Sequence, residues 1–270
     1  MIEPLQTLRV VLEAAEGLAC DLTFEGRAFP IEEPRFVRRN GPRMFMDYTR
    51  LTQNVRVSGW TEVDGDRRDC PGWTGTRDRS WGIRPVGAAD TQPTPGGGLM
   101  GFFWQWAPFN FADKSVYFHV NADTEGKPWN TRAVILPDGA GPEGGWHSDA
   151  PRMEEVTLKS GTRHALGGTL KIPLLQGEAS VRIEPLKTSG SVFLMRGIGY
   201  GGEWRHGVLK GELAVAREDI DLAAVDMAAP ENWHIQAISK ATFEAPGEPT
   251  LEGLGIFEQL IAGPYRPYGL

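Results

Sequence analysis

The sequence predicts an all-β protein of antiparallel sheets, closed as barrels or packed as sandwiches, with few short helices. Three observations carry this. At least eleven short runs show strand-like apolar patterning and are separated by turn signals. With 34 Gly, 20 Pro and nine Trp among 270 residues, the chain is turn-rich and aromatic, unlike a helical bundle. The connections are too short for helical crossovers, which favours antiparallel order. No fixed-period repeat is visible, which argues against a propeller.

In chain order, runs 8–14 and 18–24 read as a hairpin joined at Glu16-Gly17. Residues 29–34, with Pro at both ends, read as a loop, and 36–43 turn at Asn40-Gly41. The clearest long strand is 48–63. In it Val55, Val57, Gly59, Thr61 and Val63 share one face, and Asn54, Arg56, Ser58, Trp60 and Glu62 the other. The stretch 72–85 then packs three Arg, one Asp and two Trp among three Gly. This is poor core material and dense for a loop, so it is read as the element that forms the site. A Gly/Pro/Thr-rich linker, 88–98, follows. The aromatic run 99–111 puts Phe102, Trp104 and Trp106 on one face. Strands are expected at 115–121, 130–136, 155–159, 169–174, 179–186, 191–195, 208–217 and 233–243. Short helices are expected at 219–228 and 251–261. The expected division is an N-terminal β domain over 1–140, short for a complete barrel, and a C-terminal one over 141–270. The linker near residue 95 is a second candidate boundary.

Charge and cysteine content bound the function. The formal charge of −7 argues against a nucleic-acid surface, which needs clustered Lys and Arg. Cys20 and Cys70 are too few and too far apart for a disulfide framework or metal set, and read as reduced thiols in a cytoplasmic protein. Met1-Ile2-Glu3-Pro4 opens no basic-then-apolar leader, and no run approaches a membrane span, so neither a signal peptide nor a span is expected.

Specific chemistries can be weighed in turn. The five His show no HxH or HExxH spacing, so no metal site is expected. There is no GxSxG elbow, phosphate-binding loop or dinucleotide fingerprint, and no cofactor is expected. Acid–base chemistry or binding in an aromatic pocket remains. If 77–83 is extended, Asp78, Ser80 and Gly82 share one face, and Arg77, Arg79 and Trp81 the other. With the first set inward, Asp78 is a buried carboxylate whose proton affinity is set by Arg pairing against desolvation. With the second inward, Trp81 walls the pocket and Arg79 polarises an oxygen. An Asp flanked by Arg also serves as a corner-fixing ion pair. A second dense motif, Gly202-Glu203-Trp204-Arg205-His206-Gly207, sets Trp204 beside His206, either as a proton donor near neutral pH or as a core histidine bonded to backbone.

The segment Arg77-Asp78-Arg79-Ser80-Trp81-Gly82-Ile83-Arg84 resembles the D-H-x-W-G signature of the AttH and carotenoid 1,2-hydratase group. That group includes hydroxyneurosporene synthase, kievitone hydratase and lipocalin-like Diels–Alderases. It is nearest a bacterial branch reading R-D-H-S-W-G-V-R, which also resembles this chain in a later Glu-Trp-x-His-Gly segment, here Glu203 to Gly207. The resemblance covers both motifs and the β pattern between them, about two thirds of the chain. It implies two consecutive lipocalin-like barrels with a ligand cleft, and cofactor-free chemistry on an apolar isoprenoid or polyketide. Asp78, Trp81 and Gly82 match the signature, while Arg79 stands where the group has His. The aromatic strand offers Trp104, Gln105, Trp106 and Pro108 with no acid until Asp113, so carotenoid hydration itself is not expected.

The leading expectation is a cofactor-independent lyase, isomerase or cyclase. Asp78, Arg79 and His206 carry the chemistry, and Arg77, Trp81, Trp104, Trp106, His119, Glu203 and Trp204 bind the substrate. The partner is a hydrophobic small molecule, with a homodimer as a further option. The rival expectation is a lipocalin-like carrier without chemistry. A carbohydrate-binding sandwich is a third, and it requires exposed, coplanar Trp side chains.

Overall fold

The structure, a computed structural model, describes residues 1–84, 101–188, 190–196, 204 and 207–270. Among the described residues, seventeen strands form two antiparallel sheets. The first sheet holds β1 (Thr7–Ala15), β2 (Leu18–Gly26), β3 (Ile31–Glu32), β4 (Phe36–Asn40), β5 (Arg43–Val63) and β6 (Asp66–Ile83), all organised on the long β5. The second holds eleven strands. These are β7 (Phe102–Trp106), β8 (Phe109–Asn110), β9 (Lys114–Ala122), β10 (Pro128–Pro137), β11 (Trp146–Ser148), β12 (Arg152–Glu154), β13 (Gly168–Pro173), β14 (Glu178–Pro185), β15 (Val192–Leu194), β16 (Ile235–Glu244) and β17 (Leu251–Ala262). Its main path runs β11-β10-β9-β7-β17-β16-β14-β13-β12. The change of sheet falls between Ile83 and Phe102, and the second sheet runs on across residue 140.

The second sheet has two different faces. Phe103, Val116, Phe118, Val120, Phe257 and Ile261 point into its own core with Leu170, Ile172, Val181 and Phe243. The alternate residues of the same strands, Trp104, Trp106 and Leu260, pack with Phe36, Met46 and Tyr48 of the first sheet. Strands buried on both faces lose the apolar–polar alternation that marks a half-exposed strand.

That loss explains one correction. The run 251–261, expected as a helix, is β17, which pairs with β16 on one side and with β7 and β8 on the other. Its end, Phe257 to Ala262, is buried throughout. A continuous apolar run cannot be told from a buried helix by periodicity. The expected helix at 219–228 is a series of turns. Residues 208–217 form no strand, and the strand expected at 155–159 lies earlier, as β12. The described residues include short 3-10 turns at Pro230–Asn232 and Arg266–Tyr268. The stretch 72–85, expected as the site-forming element, is strand as far as Ile83, paired along β5.

Buried polar side chains fasten the first sheet to the second. The Arg27 guanidinium, its side chain 1% exposed, donates to Asn110 Oδ1 (3.1 Å) and Phe111 O (2.7 Å) and pairs with Asp138 (2.8 Å). The Asn54 backbone N–H donates to Tyr117 Oη (2.8 Å) and its Nδ2 to Phe109 O (2.9 Å). These contacts set Tyr48, Arg50 and Thr52, on the same face of β5 as Asn54, toward β7 and β17.

Gly82 lets β6 close on β5 beside Tyr48. Its φ is 131°, and a Cβ there would lie 2.3 Å from Asp47 O and 2.6 Å from Tyr48 Cα. Gly82→Ala is therefore expected to cost roughly 1–3 kcal/mol in urea unfolding. Gly65→Ala, at φ 82° with nothing within 4 Å of the new Cβ, should cost less.

Candidate functional site

Cross-strand register decides which face of the 77–83 motif looks inward. Thr52 pairs with Asp78, Arg50 with Ser80 and Tyr48 with Gly82. Directly opposed residues share a face, so Asp78, Ser80 and Gly82 face the second sheet, where β6 approaches β17. Arg77, Arg79 and Trp81 lie on the other face. Trp81 is 46% exposed, and Arg77 Nε donates to Gln53 Oε1 at 2.7 Å. The structure does not bring these three together with Asp78.

Two buried carboxylates lie beneath this inner face. Glu33, 3% exposed, accepts from Arg50 Nη2 (2.7 Å) and Nε (3.1 Å), Thr52 Oγ1 (2.8 Å) and Trp106 Nε1 (3.1 Å). Burial alone would raise its pKa. The Arg50 charge, with hydrogen bonds from Arg50 and Thr52, outweighs burial and holds it below the usual range. Glu258 on β17 accepts from Trp104 Nε1 (2.8 Å), from Gln236 Nε2 (2.6 Å) and from His234 Nε2 (2.9 Å) when that nitrogen carries a proton. Burial again works against ionisation, but the contacts to His234 and Gln236 prevail and the pKa is held down to about 2.

Arg50 lies between these acids. Its guanidinium carbon is 4.7 Å from the Trp104 ring centroid, 5.2 Å from Trp106 and 5.9 Å from Phe36. The two indoles, expected as a substrate wall, are covered in part by Arg50. Both are buried, so neither belongs to an exposed carbohydrate-binding face.

His119 lies below, also buried. Asn130 donates its amide N–H to Pro34 O and Arg35 O, so its Oδ1 faces His119 Nε2 at 2.7 Å. An acceptor there fixes the Nε2–H tautomer. The Nδ1 is left 3.8 Å from Glu33 Oε2, too far for a hydrogen bond. Burial pushes the His119 pKa down despite the attraction of Glu33. A neutral His119 does not balance Glu33; Arg50 does.

Asp78 differs from the other two acids. By area it is exposed, yet its carboxyl on the inner face is desolvated by the protein around it. Desolvation raises its pKa; the Arg50 and Arg84 charges pull it down, and those of Glu258 and Glu33 add to the rise. The net direction is upward. Three carboxyl groups thus share one neighbourhood, two held ionised and one biased toward holding its proton, the division of labour expected of an acid–base site. Arg84 Nη1 donates to Ser80 Oγ (3.1 Å) at the rim.

Of the other expected site residues, Trp204 is 47% exposed, with the Lys210 ammonium 5.4 Å from its ring. Glu203 and His206 lie outside the described residues. Glu33, Arg50, Glu258, His234 and Gln236 were missed. Glu33 sits in a stretch read as loop and Glu258 in one read as helix, so neither had a strand parity to point it inward. Two surface depressions are lined by other residues: one of about 380 Å³ by Pro34, Trp129 and Arg132, and one of about 260 Å³ by Pro30, Leu136 and His147. Asp78 opens on neither. Among the described residues no helix is long and apolar enough to cross a membrane.

The acid side of the stability profile has a definite sign. Glu258 titrates at about 2 in the fold against an ordinary 4.5. Its contribution, on the order of 2–3 kcal/mol, is complete above pH 4.5 and lost as pH falls toward 2. Urea midpoints should fall from pH 6 to pH 3, and Glu258→Gln should flatten that fall. An unchanged slope would remove Glu258 from the cause.

The family described as "Family of unknown function (DUF8625)" matches residues 1–270. No curated protein matches. Among solved structures, the chain is similar to an AttH assignment from Nitrosomonas europaea (15% identity, TM-score 0.50, 95% of this chain and 66% of that one). It is also similar to kievitone hydratase from Nectria haematococca (12%, TM-score 0.51, 96% and 66%). A third is CghA crystallised with Sch210972 (11%, TM-score 0.53, 96% and 65%). The likeness is one of fold, AttH-like and lipocalin-like, and the chain spans about two thirds of the length of these structures.

Proposed function

We propose, from the premise that this chain belongs to the DUF8625 family and carries an AttH-like fold, that it is a cofactor-independent lyase, isomerase or cyclase of a hydrophobic small molecule. Two fold relatives bear on the class: one is a hydratase, and the other was crystallised with a small molecule. The observation that carries the reading is the convergence of Asp78, Arg50, Glu33 and Glu258 on one face, with Asp78 alone biased toward its protonated form. A carrier needs an apolar cavity and has no use for convergent titratable groups.

In this reading Asp78 is the general acid. Its carboxyl donates a proton to the substrate, and the resulting carboxylate is stabilised by the nearby Arg50 and Arg84 charges. Glu33 and the two indoles are positioning groups that hold Arg50 in place. Water loss on substrate entry strengthens each of these contacts. The apolar substrate and the cytoplasmic setting belong to the same proposal. The test is turnover of the compound that co-purifies with the protein, identified by mass spectrometry. Asp78→Asn should bind it and fail to convert it, and full turnover would place the acid elsewhere.

A further inference from the structure

We propose, building on the inner face around Asp78 as the substrate site, that this face reads a neutral carbonyl oxygen, held between Arg50 Nη1 and the Asp78 carboxyl. The substrate is then an apolar body bearing a ketone, enone or amide carbonyl at its reacting end, in preference to an unfunctionalised hydrocarbon.

Arg50 spends only part of its donor set on Glu33. Its Nε and Nη2 both donate to Glu33 Oε2, while Nη1 makes no hydrogen bond among the described residues. Nη1 is also not among the buried polar atoms left without a partner, and the Arg50 side chain keeps 12% of its surface accessible. A guanidinium held by a carboxylate and two indoles therefore keeps one unused, accessible donor edge. Asp78 is its diagonal neighbour, because Thr52 pairs with Asp78 and Arg50 with Ser80. Diagonal neighbours on one face stand roughly 7 Å apart, and the two groups are not within ion-pair distance of each other. An oxygen accepting from two donors at about 2.8 Å each needs them separated by about 5 Å, a spacing that long side chains on diagonal positions can reach.

Charge selects the kind of oxygen. The Arg50 charge is matched by Glu33, and the ionised Glu258 lies close by. The Arg84 charge at the rim offsets that of Glu258, so a carboxylate entering here would add a negative charge with no unmatched cation to receive it. A neutral carbonyl meets two donors and no net repulsion, and donation from both polarises it further.

The test uses three probes of similar shape: 2-acetylnaphthalene, 2-ethylnaphthalene and 2-naphthoate. Affinities are read by tryptophan quenching, and the carbonyl stretch of the bound ketone by infrared difference spectroscopy. In the wild type, the ketone should bind better than 2-naphthoate, and its stretch should fall below the value in an apolar solvent. The preference for ketone over hydrocarbon should drop about tenfold or more in the double variant Glu33→Gln/Arg50→Met, which leaves no unpaired charge if the single variant fails to fold. Arg50→Lys, which keeps the charge and loses the fork, should restore at most part of the stretch shift. An unshifted stretch, a preference unchanged in the double variant, no binding of either neutral probe, or tighter binding of 2-naphthoate would each overturn the assignment. Asp78→Asn separates the two readings. If it retains turnover while Arg50 controls the carbonyl shift, the acid assignment falls and carbonyl recognition stands. Loss of turnover without any Arg50-dependent shift gives the reverse.

Discussion

Glu33→Ala is expected to destabilise the protein by roughly 3–5 kcal/mol, the usual cost of stranding one partner of a buried ion pair. The change would leave the Arg50 guanidinium, sandwiched against Trp104 and Trp106, with no counterion in contact. It would also remove the acceptor for Thr52 Oγ1 and Trp106 Nε1. Against a total stability of about 5–15 kcal/mol for a domain, this is enough to threaten folding. Removing both charges, as in Glu33→Gln/Arg50→Met, should recover much of the loss, because replacing a buried pair as a whole is often near neutral. The measurement is the urea midpoint of the two variants side by side. Equal destabilisation by single and double change would show that Glu33 acts through its backbone and shape rather than its charge.

Asp78→Asn carries the largest expected effect on rate, a fall in kcat of about 10²–10⁴, the usual worth of a positioned general acid. The substitution keeps shape and removes the proton. Desolvation raises the Asp78 pKa, so its acid form persists to higher pH than an ordinary carboxyl, and wild-type rate should fall as pH rises through that value. The variant should lose that limb of the profile. Arg79→Ala, on the outer face of β6 and exposed, should leave kcat within a few-fold of wild type. A large effect at Arg79 with none at Asp78 would mean that the outer face of β6 carries the chemistry.

Much of the first sheet was legible because its strands are half-exposed. β2 keeps the alternation that marks such a strand, with Leu18, Cys20, Leu22 and Phe24 set against Ala19, Asp21 and Thr23, and so does β5 where buried Val55 and Val57 alternate with exposed Arg56 and Ser58. The 77–84 motif was legible as a dense mixture of charge and Trp, and Asp78 could be singled out within it. The partners of Asp78 could not. Glu33 follows a two-residue strand and precedes Pro34, and Glu258 comes from a strand whose apolar run imitates a helix. They lie 225 positions apart and share no motif. Only the approach of β6 and β5 to β17 puts them beneath the same carboxyl.

Composition and strand periodicity by themselves determined that this is a turn-rich all-β protein, with a charged, Trp-bearing motif split by parity into two faces. Tertiary structure alone decided which face looks toward the second sheet. A period of two says which residues travel together, but inward and outward differ only once a second layer covers one side. Here that layer is the Trp104, Trp106 and Glu258 face of the second sheet. It turns Asp78 and Arg50 toward each other and leaves Arg79 and Trp81 to solvent.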